Sequence, residues 1–274
     1  MPVDPQLRNF EIDIPARPEV LVRLSLLLAE DEVNQPAVAA LVESDMALAS
    51  AVMRAVNSSL YGLQGRVQSV QQAITYLGTA EVSGITFEMG LRAAFAPAPE
   101  LDLIWVRAAR RSRLMSRLAQ ALGQDAWAAH SAGLFEECGK AVLFRHAPDH
   151  YRAMLRAAAS DADLCQLEQV GFGVTHDVMG AALCESWGLG ALAVASVRHH
   201  VRAQGLLVLD LPAPQRGALA MSVLAAALMA APDSLELVAE ALCPQAGLDL
   251  TGTLRAARRL GEQFDQAREN GRVP

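Results

Sequence analysis

The sequence predicts an all-α fold, and three observations carry that expectation. Hydrophobic residues make up 52% of the 274 positions with Ala and Leu prominent, while aromatics are only 5%. That balance suits helices better than a β-sandwich, which draws on Val, Ile, Thr and aromatic residues. Apolar side chains recur at helical spacing, as in Val20, Leu21, Leu24, Leu27 and Leu28. Capping residues punctuate these stretches, with Asn34, Asp45 and Ser69 placed to open helices and Gly78 to close one.

In chain order, residues 1–15 are polar and proline-marked, an extended lead-in. Pro18 opens a first helix to about Leu27. Asn34 caps a short second helix through Leu41, and Asp45 caps a third ended by Asn57-Ser58-Ser59. Tyr61-Gly62 begins a turn, Ser69 starts a helix to Leu77, and Thr79 starts another to about Phe95. Pro97 and Pro99 mark a seam. The expected organisation is therefore an N-terminal helical lobe at 1–96, a second helical lobe at 97–212 and a short C-terminal helical extension at 213–274.

The second lobe opens with a long helix, about Asp102 to Leu122. Arg111, Leu114, Met115, Leu118 and Leu122 share one stripe at 100° per residue, and Arg107 extends it by a turn. Arg110, Arg113 and Arg117 project from the neighbouring face and read as solvated. Helices follow at about 126–145 and 149–159. Asp161 or Asp163 caps the next, which carries Glu168 and ends near Gly171-Phe-Gly173. Thr175–Trp187 and Leu189–His200 complete the lobe. Gln204–Pro214 is a Leu-rich connector before two or three helices in 215–269. The most apolar run, Gly217–Pro232, is too short for a bilayer span of about 20 residues and reads as a buried helix.

The net charge of −7 and pI near 5.4 exclude a surface that is wholly a glove for nucleic acid. Cysteines at 138, 165, 184 and 243 form no C-x-x-C, so no thiolate metal site or disulfide scaffold is expected, and a reducing, cytoplasmic setting fits. The polar first ten residues carry no signal peptide pattern. No phosphate loop, Gly-x-Ser-x-Gly elbow or dinucleotide fingerprint occurs. His146 and His150 are four apart, but Pro148 between them breaks the helical geometry, so both read as solvated.

The stretch Ser131-Ala-Gly-Leu-Phe-Glu-Glu-Cys-Gly-Lys140 stands out, because Lys140 is the single lysine among 23 basic residues. It resembles the Gly-Leu-Leu-His-Asp-Ile-Gly-Lys signature of the HD-domain superfamily, with Glu136 in the His place and Glu137 in the Asp place. Further elements fall in the same order: Asn57-Ser58 with Tyr61-Gly62, Ala73-Ile74 with Leu77-Gly78, Glu168, His176, Gly180, Trp187-Gly188-Leu189 and His199-His200. Together they resemble the HDOD family, the HD-related output domain of bacterial signalling proteins, over roughly residues 15 to 210.

That resemblance implies an HD-like helical bundle in the second lobe. It also shows departures from the hydrolytic relatives, whose clustered imidazoles and carboxylates bind metal and activate a water. The first His position falls at Arg107, whose guanidinium has no lone pair to donate and repels a cation. The doublet is Glu136-Glu137. The Gly-Tyr-Pro element that follows the paired histidines in the cyclic-dinucleotide phosphodiesterases is replaced by Val201-Arg202-Ala203-Gln204-Gly205.

The expected site is thus a vestigial pocket of Arg107, Glu136, Glu137, Lys140, His176, His199 and His200, without catalytic residues, cofactor or metal. Arg107 is expected to pair with Glu136 or Glu137 beside Lys140, so that Arg107→Ala destabilises far more than Arg110→Ala. If a metal does bind, its ligands would be Glu136, Glu137, His176 and His200. The resemblance implies a non-catalytic regulatory module acting through protein–protein contact with separate signalling proteins. Two alternatives stay open: a nucleotide or small-ligand receptor using the same pocket, and a metal-dependent phosphohydrolase with an altered metal site. No nucleic-acid partner and no membrane span are expected, and the oligomeric state is open.

Overall fold

The computed structural model describes residues 12–30, 32–58 and 61–269, with side chains to residue 264. Every regular element among them is helical and no strand occurs, as the composition predicts. The described residues form two compact units: one holds those of 16–96 and 262–269, the other those of 12–15 and 97–261.

The first unit contains α1 (Glu19–Leu28), α2 (Gln35–Glu43), α3 (Met46–Val56), α4 (Val70–Leu77) and α5 (Thr79–Ala93). Its caps are the expected ones. Asn34 Oδ1 accepts from Ala37 N, Asp45 Oδ1 from Ala47 N and Leu48 N, and Ser69 Oγ from Gln72 N. Ser59, expected at the end of α3, lies outside the described residues. Leu21, Leu24, Val42, Val52, Phe87 and Leu91 are fully buried. Gly90 lets α5 meet α1, since a Cβ there would stand 2.8 Å from Leu21.

The second unit begins with α6 (Pro99–Ala121), three residues earlier than expected because Pro99 opens the first turn. The expected single helix over 126–145 is two, α7 (Ala126–Phe135) and α8 (Cys138–His146), broken at Glu136-Glu137. There follow α9 (Pro148–Ala157), α10 (Asp161–Phe172), α11 (His176–Ser186), α12 (Ala191–Leu206), α13 (Arg216–Ala230), α14 (Leu235–Ala246) and α15 (Leu250–Glu269), whose last turns belong to the first unit. Ser160, not Asp161 or Asp163, caps α10, its Oγ accepting from Asp163 N. The α13 helix packs on α12, α6 and α7 and is buried along most of its length. No single helix among the described residues is long and apolar enough to cross a membrane.

Small residues let this bundle close. A Cβ on Gly133 would lie 2.8 Å from Ser112 Cα, which seats α7 directly on α6. A Cβ on Gly139 would drive into the His176 carbonyl oxygen and stand 2.7 Å from Gly180 N, so α8 and α11 touch backbone to backbone. Trp187 is buried edge-on to Phe135 and donates Nε1 to Pro15 O at 2.8 Å, anchoring the lead-in within the same unit. His146 is half-buried edge-on to Phe172, not solvated as its neighbourhood to Pro148 suggested.

Candidate functional site

The break between α7 and α8 turns two consecutive carboxylates inward. Glu136 is 0% and Glu137 1% exposed, and an uncompensated buried charge is strongly destabilising. The compensation comes from α6 and α8. Arg111 Nη1 donates to Glu136 Oε2 at 2.6 Å, and its Nη2 stands 3.4 Å from Glu137 Oε1. Lys140 Nζ, one turn along, donates to Glu137 Oε2 at 3.0 Å and to Asp161 Oδ1 at 2.7 Å. Arg107 Nη2 reaches Glu137 Oε2 at 3.0 Å from the rim.

Arg107 therefore does pair with the doublet, but it is not the buried partner. Its side chain is 48% exposed, against 8% for Arg111. The expected severe effect of Arg107→Ala is transferred to Arg111, which the helical stripe had placed toward the core without naming its partner. Asp161 was also missed as a site residue. It was read as a cap, and its first-turn position on α10 instead lets it hold Lys140.

These ion pairs set the charge states. Burial would raise the Glu137 pKa, but Lys140, Arg111 and Arg107 outweigh it and hold the carboxyl well below its ordinary range. Burial pulls the Arg111 pKa down, and Glu136 and Glu137 more than reverse that. Asp161 likewise resists the upward pull of burial because Lys140 faces it. Cys138 is no nucleophile: burial first, then Cys184 and Glu137, raises its thiol pKa.

The histidine side is built differently. His176 presents Nδ1 to Glu168 Oε2 at 2.8 Å, and the same carboxylate accepts from His176 N at 2.7 Å and from Tyr151 Oη at 2.5 Å. His200 presents Nδ1 to Val197 O at 2.7 Å, and a carbonyl can only accept, so Nδ1 carries the proton. Both Nε2 atoms are buried and have no partner among the described residues, and the two rings lie 5.7 Å apart. Burial foremost, with His176 and Arg111 beside it, lowers the His200 pKa. His199 does not join this group. It faces a shallow outer groove with Glu185, Leu189 and Arg198, one helical step of 100° away.

The fit to a metal is mixed. Ligand atoms of Asp161, His176 and His200 lie within 4.8 Å of one another, as do those of Cys165, Glu168 and His176, so either trio could hold a divalent ion. They share only the two histidines with the expected set. Glu137 does not fit, because both its oxygens already serve Arg111, Lys140 and Arg107, and Glu136 gives one oxygen to Arg111 while its Oε1 is buried without a partner among the described residues. The Lys140 ammonium on Asp161 opposes a further cation even at the remaining donors.

Outside this network lies a cleft of about 510 Å³ formed by α6, the start of α10, α12 and α13. Arg107, Arg110 and Arg111 line one side, and Val201, Ala226 and Met229 line another. Arg110 was read as solvated; it is half-buried in this wall.

Comparison with known proteins agrees with the architecture. The fold matches a protein from Marinobacter aquaeolei VT8 provisionally named for signal transduction, with a TM-score of 0.75 at 23% identity, covering 94% of this chain and 58% of that one. An HDOD domain protein of unknown function from Geobacter sulfurreducens gives 0.74 at 18% identity, covering 94% and 92%. A protein from Shewanella amazonensis SB2B, provisionally named a phosphohydrolase, gives 0.69 at 19% identity with the same coverage. An uncharacterised protein of Treponema pallidum (strain Nichols) is 25% identical over 193 residues, which are 69% of this chain but 37% of that protein. The chain thus spans little more than a third of the length of that curated relative. The HDOD domain profile matches residues 14–203, and the chain belongs to the HDOD family.

Proposed function

We propose that this chain is a non-catalytic regulatory module of bacterial signal transduction, working in the cytoplasm through contact with other signalling proteins. The observation that carries this reading is the ion pairing of the buried Glu136-Glu137 doublet with Arg111, Lys140 and Arg107. A hydrolase of this architecture needs a cation to lower the pKa of a water. Here fixed side-chain cations neutralise the carboxylates, and they carry no exchangeable water. Four unpaired cysteines suit a reducing compartment.

A second reading, a receptor for a small anionic ligand, is favoured by the arginine-lined cleft beside the network. Both readings predict no turnover. A chromogenic phosphodiester, assayed with magnesium, manganese or zinc added, should be hydrolysed at the rate of the buffer control. Turnover that Glu137→Gln abolishes would establish the phosphohydrolase alternative instead.

A further inference from the structure

We infer that the cleft between α6, α12 and α13 binds a phosphate-bearing small molecule with a flat apolar body, of mononucleotide size. Its volume of about 510 Å³ lies within the range of about 300–1,000 Å³ typical of small-ligand sites. Its two walls differ in chemistry. On the α6 side three guanidiniums face two carboxylates, Glu137 and Asp161, a local positive excess in a chain of net charge −7. On the α13 side Ala226, Met229 and Ala230 present small and pliant apolar surface, with Val201 and Gly205 of α12 next to them.

Arg110 marks where the anion sits. It has no carboxylate partner among the described residues, and its Nε is buried without a hydrogen-bond acceptor. Its guanidinium lines the cleft without a carboxylate, and a phosphate oxygen is the acceptor a guanidinium fork fits best. Arg107, about one helical turn away, is half-exposed and can swing to the same anion. Its release costs little, because Glu137 keeps Lys140 at 3.0 Å and Arg111 at 3.4 Å. The anion would thus exchange with one ion pair of the network and leave the rest intact.

The apolar wall lies beyond the matched family span, which ends at residue 203, whereas α13 begins at Arg216. The site thus joins residues of the matched domain to a helix that follows it. It rests on the receptor reading of the same cleft.

Calorimetric titration of the full chain with the four ribonucleoside 5′-monophosphates, adenosine and inorganic phosphate tests it. At least one monophosphate should bind more than tenfold tighter than either adenosine or phosphate. Arg110→Ala should weaken that binding at least tenfold with the unliganded Tm retained, and Ala230→Trp, which fills the apolar rim, should do the same. Absence of binding by every monophosphate, equal binding by Arg110→Ala, or phosphate alone binding as tightly would overturn the site. Binding followed by hydrolysis of the ligand would leave the site standing and defeat only the non-catalytic reading.

Discussion

The doublet side and the histidine side of the buried site solve the same problem in opposite ways. At Glu136-Glu137 carboxylates are met by the cationic side chains of Arg111 and Lys140. At His176 and His200 the polar atoms are met by hydrogen bonds to Glu168 and Val197, and two ring nitrogens remain unengaged. The difference teaches that two halves of one buried site can meet the cost of burial by charge or by hydrogen bonding. On one side ion pairs hold both Glu137 oxygens and one of Glu136, while on the other the imidazoles are oriented through Nδ1 alone.

Gly139 holds the two sides together, and its loss should have the largest effect. A Cβ there meets backbone of α11, which cannot yield as a side chain would. Gly139→Ala should cost more than about 3 kcal/mol, the upper end of overpacking, measured by urea unfolding. A variant as stable as the parent would show that α8 and α11 can part freely.

Next comes the contrast within the doublet side. Arg111→Ala strands Glu136 at 0% exposure and should cost about 3–5 kcal/mol. Arg107→Ala removes a half-exposed partner from a carboxylate that keeps two others, and should cost about 0.2–1 kcal/mol. Equal losses for the two variants would mean that the rim pair, not the buried one, neutralises the doublet.

The ordering of these arginines shows what the sequence could convey. The helical stripe placed Arg111 beside Leu114 and Leu118, and a charge on a core stripe demands a partner. Which arginine meets which carboxylate depends on the break at Glu136-Glu137. Hydrophobic periodicity does not report that break, because apolar residues flank it closely on both sides, at Leu134 and Phe135 and again at Cys138, Ala141 and Val142. Asp161 and Tyr151 were illegible for another reason: each acts across helices far apart in the chain, Asp161 on Lys140 and Tyr151 on Glu168. The caps at Asn34, Asp45 and Ser69 were legible because they act within three residues.

The smallest expected effect separates the two sides by pH. Burial lowers the folded His200 pKa, so the unfolded chain takes up its proton first as pH falls below about 6.5. Stability from this group is complete above that value and is lost on the way down. Glu137 and Asp161, also depressed, give up theirs only below about 4. Between pH 7 and 5 the parent chain should therefore lose more stability than His200→Gln, while below pH 4 the two should fall in parallel. Parallel curves throughout would assign no such role to His200.

Elemental analysis of the chain, purified and then incubated with zinc or manganese and desalted, bears most directly on the claim that side-chain cations occupy the metal's role. The account predicts far less than one divalent ion per chain, with no change for Glu137→Gln. One ion per chain, lost in both Glu137→Gln and His176→Gln, would contradict it.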